Sequence, residues 1–234
     1  MPIDEMPGHL FKNLLKLLFH PFQFFEGMPE HPRLLPPLLL VLGMCLAQIL
    51  WYFPVFVVFT EQLLGGAHLF TQGGALWTIV HVTISPAIRW LIFTAVIFAV
   101  SVLFQGKGSF LRFLVFTVYG TLVAYMSGLV QIAFIHLAGR QLTHEMFHEM
   151  FRLMMGSYLS FPNFDTDPTI AIFWMIFWLI GTIGFVWTFT INVAATQYGR
   201  HIPRTHAFFT VILAFVCMYG IQWVQELSIR HMIT

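Results

Sequence analysis

The sequence predicts an all-α fold, a polytopic transmembrane helical bundle of five spans with two interfacial amphipathic helices. Three observations carry that expectation. Of 234 residues, 58% are hydrophobic and 9% charged, with a mean hydropathy of +0.80. A water-facing surface needs roughly 25% charged residues, so a soluble globular fold is excluded, as is disorder, which requires low hydrophobicity. The apolar residues gather into five runs of the length that crosses a hydrocarbon core, about 20 residues each. The basic residues, finally, fall mostly on one side of those runs. A net charge of +1 supplies no global basic field, so nucleic acid is not a partner and the lipid bilayer is.

Two parts are expected: an N-terminal interfacial helix and entry segment over residues 1–34, and a membrane domain over 35–234 with an amphipathic insert at about 139–168. The chain starts Met1-Pro2-Ile3-Asp4-Glu5, without the basic start and apolar stretch of a cleavable signal. Residues 9–25 set Leu10, Leu14, Leu17, Leu18 and Phe25 against Lys12, Asn13, Lys16 and Gln23, the pattern of a helix lying in the headgroup plane. A span over about 35–60 follows, opened by Pro36-Pro37, whose missing N–H groups are not needed in a first turn. The second span, about 75–104, holds Pro86 and Arg89 and is expected to kink or tilt. In the third, about 110–138, Gly120, Ala124 and Gly128 recur every four residues, a face that lets a neighbouring helix approach closely. The fourth, about 169–195, carries Trp174, Trp178 and Trp187, and the fifth covers about 206–227. A second interfacial segment is expected at about 141–160. Cys45 and Cys217 both sit in apolar runs and read as small core residues.

Orientation follows from Lys and Arg. Five spans put Lys12, Lys16, Arg33, Lys107, Arg112, Arg200 and Arg204 on one side, and Arg140, Arg152 and Arg230 on the other. The N-terminus is therefore expected in the cytoplasm and the C-terminus outside.

Two stretches carry a family resemblance. The first is Leu17-Leu18-Phe19-His20-Pro21-Phe22-Gln23-Phe24-Phe25, with Met28-Pro29 and the proline-rich entry behind it. The second is Gln105-Gly106-Lys107-Gly108-Ser109-Phe110-Leu111-Arg112, leading into a helix with Tyr119-Gly120. Both resemble prokaryotic Yip-domain membrane proteins, as do the five-span layout and the outward C-terminus. The resemblance implies a bundle in the prokaryotic cytoplasmic membrane and supplies no catalytic residue. Eukaryotic relatives are associated with Ypt/Rab GTPases and vesicle traffic, but their Asp-Leu-Tyr-Gly-Pro stretch is absent here, which argues against GTPase binding. The segment at about 139–168 is larger than the family leads one to expect.

Two motifs invite chemistry. Gly106-Lys107-Gly108-Ser109 lacks the spacing and the preceding strand of a phosphate-binding loop, and reads as a tight turn. His144-Glu145-Met146-Phe147-His148 fits the His-Glu-x-x-His pattern, in which two imidazoles one helical turn apart hold zinc and the Glu polarises water. A third ligand would come from His136, Asp165, Asp167, His68 or His81, all expected on or near the outer side. Soft thioether and imidazole donors would favour copper over zinc. The competing reading makes the segment an interfacial helix, with Met146, Met150 and Met154 toward lipid and the imidazoles toward water. Haem between His81 and His136 is disfavoured, since lone histidines near span ends are usually interfacial. Arg89 is the intramembrane charge, expected to pair with a carbonyl or carboxylate or to line a polar path. The function expected is non-catalytic, meaning membrane organisation, passive permeation, or binding of other membrane proteins or of further copies, without a cofactor. The alternative is a zinc metallopeptidase or an outer-face metal-binding or transport protein, with Glu145 as catalytic base.

Overall fold

The computed structural model describes residues 6–30, 32–47, 74–139 and 168–233, and among them all regular structure is helical. The elements are α1 (Met6–Phe19), α2 (Pro21–Glu26), α3 (Leu35–Ala47), α4 (Gly74–Leu103), α5 (Phe110–Gly139), α6 (Pro168–Arg200) and α7 (Arg204–Ile233). The protein is an all-helical membrane protein. Among the described residues, Phe110–Gln131 on α5 and Ala171–Arg200 on α6 are long and apolar enough to cross a bilayer, at about 1.5 Å per residue. Shorter apolar stretches lie at Leu35–Ala47, Ala87–Leu103 and Arg204–Met218. The second half of the first expected span and the amphipathic segment at 141–160 lie outside the described residues.

Where the pattern over 9–25 reads as one helix, the structure has two. Pro21 disfavours the helical conformation at the residue before it, and His20 accordingly sits at φ −136°, ψ 58°. Pro21 then opens α2, where its fixed φ suits a first turn. Leu17 and Phe25 are buried, while Leu14, Leu15 and Phe19 stay exposed. In α4 the helix continues through Pro86, which membrane helices tolerate when neighbours satisfy the freed carbonyl.

The chain divides into two compact units. The first comprises residues 1–43, 85–123 and 187–234. Its core joins Leu17 and Phe25 to Phe116 and Val123 of α5 and to Ile191, Ala194 and Ala195 of α6. A second cluster sets Val193 against Ile202, Ala207 and Val211, and a third packs Ile97, Phe113 and Ala214 from α4, α5 and α7. Three polar side chains buried between α4 and α5 bond to one another. Trp90 Nε1 donates to Thr117 Oγ1 at 3.2 Å, and Thr94 Oγ1 lies 2.7 Å from the same oxygen. A lone hydroxyl in an apolar interior would be costly; a chain of three is not.

The second unit comprises residues 44–84 and 124–186. Here the second half of α5 meets the first half of α6 through small residues and amides. Gln131 Nε2 donates to the Phe177 carbonyl at 3.3 Å and lies where a methyl on Gly181 would stand, 2.5 Å away. Ser127 packs against Gly184 in the same manner, and Phe134 stacks on Phe173 at 4.6 Å between ring centroids.

Candidate functional site

The chemistry-bearing residues of the first unit collect at the turns between α4 and α5 and between α6 and α7. Arg200 organises both. It ends α6 and is only 2% exposed, and a buried guanidinium is tolerable only where acceptors surround it. Nε donates to Ser101 Oγ at 2.8 Å, Nη2 to the Gly106 carbonyl at 2.6 Å, and Nη1 to the Gly108 carbonyl. Its Cζ stands 3.9 Å above the Phe98 ring, adding a cation–π contact in a desolvated place. The Arg200 carbonyl in turn accepts from the Lys107 N–H at 2.8 Å. One residue thus staples the glycine turn by two donated bonds and one accepted, and ties it to α4 by a third donated bond at Ser101.

The turn's sequence fits this clamp. Gly108 has φ +109°, and a methyl there would stand 2.9 Å from the Gly199 carbonyl; a methyl on Gly106 would press on the Ser101 carbonyl at 2.9 Å. Glycine is required at both. The Gly-Lys-Gly-Ser stretch is thus a clamped turn, as its failed phosphate-loop spacing led one to expect.

Around the buried arginine lies a basic rim. Lys107, His201, Arg204 and His206 are exposed and Arg112 is half-buried. Arg112 Nη1 donates to His201 Nε2 at 2.7 Å; since arginine can only donate, that ring nitrogen accepts and the ring proton sits on Nδ1. Arg204 stands 3.5 Å over the Phe22 ring, and the His206 ring lies 5.3 Å from that of Phe104.

The two stretches that carry the family resemblance meet in this unit. Phe25 stacks on Phe116 at 5.3 Å, and Phe24 meets Tyr119 edge-on at 5.0 Å. Trp187 Nε1 donates to the Leu18 carbonyl at 2.7 Å, fixing α1 against α6. Next to Tyr119, Gly120 faces Asn192, whose Oδ1 lies 2.5 Å from where a methyl would stand. The Yip1 domain matches residues 15–224. The chain belongs to the Yip1 domain family. Its match begins in α1 and ends in α7, and so takes in both turns and the aromatic dock. Comparison with curated proteins and with solved structures gives no match.

Arg89 lies on the exposed side of α4. Of the small residues on α5, Gly120 is buried, Ala124 is exposed, and a methyl on Gly128 meets nothing within 4 Å among the described residues. His136 lies on α5 near its C-terminal end. His144, Glu145, His148, Asp165, Asp167 and His68 lie outside the described residues, and among those described no group of three His, Cys, Asp or Glu could hold a metal ion. The residue that sequence reasoning undervalues is Arg200, counted there as one of the loop charges. Its partners on the glycine turn are about 90 positions away in the chain, so no local pattern marks it.

Proposed function

We propose that this Yip1-family protein is a non-catalytic organiser of the prokaryotic cytoplasmic membrane, binding other membrane proteins or further copies of itself at its cytoplasmic basic end. The observation that supports this reading is the Arg200 clamp. The strongest cationic donor of the site spends its bonds on the chain's own backbone, at Gly106 and Gly108, which holds Lys107 and Ser109 on a fixed, exposed turn. A preorganised surface loses less entropy on binding than a mobile one. Positive residues retained on one side support the orientation with the N-terminus inside and the C-terminus outside.

A photo-crosslinking residue at Ser109 in native membranes tests the proposal. Discrete adducts that vanish when Arg200→Ala is added are expected; adducts indifferent to Arg200, or none, would overturn it.

A second reading rests on the His144-Glu145-x-x-His148 spacing, a zinc or copper ion on the outer face completed by His136, Asp165 or Asp167. Elemental analysis of untagged protein, offered zinc and washed, decides it. One equivalent lost in His144→Ala/His148→Ala supports a metal site, and none in either form removes both that site and the peptidase.

A further inference from the structure

A shallow pocket of 390 Å³ opens between the two turns of the first unit, walled by Leu103, Phe104 and Gln105 on one side and His201, Ile202 and His206 on the other. Its lining is of two kinds. Leu103 is 77% exposed and Val102 beside it 57%, an apolar strip at the end of α4. The opposite wall offers imidazoles and the rim a guanidinium, with Arg204 next in the chain and Lys107 across the glycine turn. Neither turn, over 104–112 or 200–206, contains an Asp or Glu to neutralise them.

Backbone conformation adds a second observation. Only two described residues other than glycine take positive φ, Gln105 at 57° and His201 at 52°, and both line this pocket. Left-handed backbone is disfavoured for a residue with a side chain and is open to glycine without that penalty. Both stand just past the end of a long helix, in C-terminal caps closed by the Gly106 N–H to the Ser101 carbonyl and by the Ile202 N–H to the Gln197 carbonyl, a place where glycine is the usual residue. Here both carry donors, the Gln105 amide and the His201 Nδ1–H left over from the bond with Arg112.

We propose that this pocket holds the headgroup of an anionic phospholipid. The phosphate accepts from His201, Gln105 and His206 within the cationic rim, and an acyl chain runs along Leu103 and Val102. Charge complementarity selects an anionic over a zwitterionic headgroup, and the apolar strip selects a lipid over free phosphate. Partner binding at Ser109 is not required for this, so either can fail alone.

The test is native mass spectrometry of the full chain released from detergent with added phosphatidylglycerol, phosphatidylcholine or inorganic phosphate. Retention of phosphatidylglycerol is expected, at least tenfold over phosphatidylcholine and undiminished by millimolar phosphate. His201→Gly and Gln105→Gly each relieve the backbone while removing a donor, so each should lower retention about tenfold with thermal stability unchanged or raised. Gln105→Gly leaves the Arg112 contact intact and keeps the test sound if His201→Gly disturbs folding. Arg33→Gln, an exposed cation outside the pocket, should leave retention unchanged. Equal retention of phosphatidylcholine, displacement by phosphate, full retention in both glycine variants, or an equal loss in Arg33→Gln would overturn the proposal.

Discussion

Arg200 is the residue on which the basic end depends. Its guanidinium holds Ser101, Gly106 and Gly108 at once, so Arg200→Ala removes three charge-assisted hydrogen bonds and the packing on Phe98, a loss of about 3 kcal/mol. Arg200→Lys keeps the charge but not the planar fork and should recover little. Trypsin cleavage after Lys107 in detergent, followed over time, should accelerate in both variants, and the melting temperature should fall. At a smaller scale of contact, the glycines of α5 divide. Gly120→Ala drives a methyl to 2.5 Å from Asn192 Oδ1 and should cost about 1–3 kcal/mol. Gly128→Ala meets nothing within 4 Å among the described residues and should be neutral, or slightly stabilising through helix propensity. Melting curves of the two proteins side by side check this. Sequence spacing alone makes these glycines equivalent, because a repeat of four names a helix face without saying how far along it a neighbour stays close.

Among the elements, the long helices were legible because hydropathy over 20 residues is a strong signal. Their ends were less so. The fourth run, read to about 195, continues to Arg200 as α6, and the fifth begins at Arg204, since a clamped arginine and the Pro203 turn set the boundary and hydropathy does not. The break at His20 was readable from Pro21 but was masked by the amphipathic pattern running across it. Docking of α1 and α2 was not legible at all, as it depends on side chains distant in sequence. Its hydrogen bond, Trp187 to the Leu18 carbonyl at 2.7 Å, gives a test. Trp187→Phe keeps the ring facing Phe19 and removes the donor, so amide exchange in α1 should quicken by up to about tenfold while α6 is unaffected.

For the whole molecule, composition and the distribution of Lys and Arg say more than any motif. They place the chain in a bilayer, and the Yip1 domain match over residues 15–224 agrees. The candidate site was only half legible. Its glycine turn could be read as a tight turn, but the residue that clamps it is 94 positions away from Gly106, and no local pattern links them. The chemically loudest motif, His144-Glu145-x-x-His148, lies apart from the basic end in sequence, and the Yip1 family reading does not need it. Everything proposed for the basic end assumes that its two turns share the cytoplasmic side, with an odd number of spans to the C-terminus. Cysteine accessibility in intact cells measures that directly. After Cys45→Ser and Cys217→Ser, single cysteines are placed at Ser109, Thr205 and Thr234 and exposed to a membrane-impermeant maleimide. Labelling at 234 alone in intact cells, with 109 and 205 labelled only after lysis, is the predicted result. Labelling of 109 or 205 from outside, or protection of 234, would contradict it.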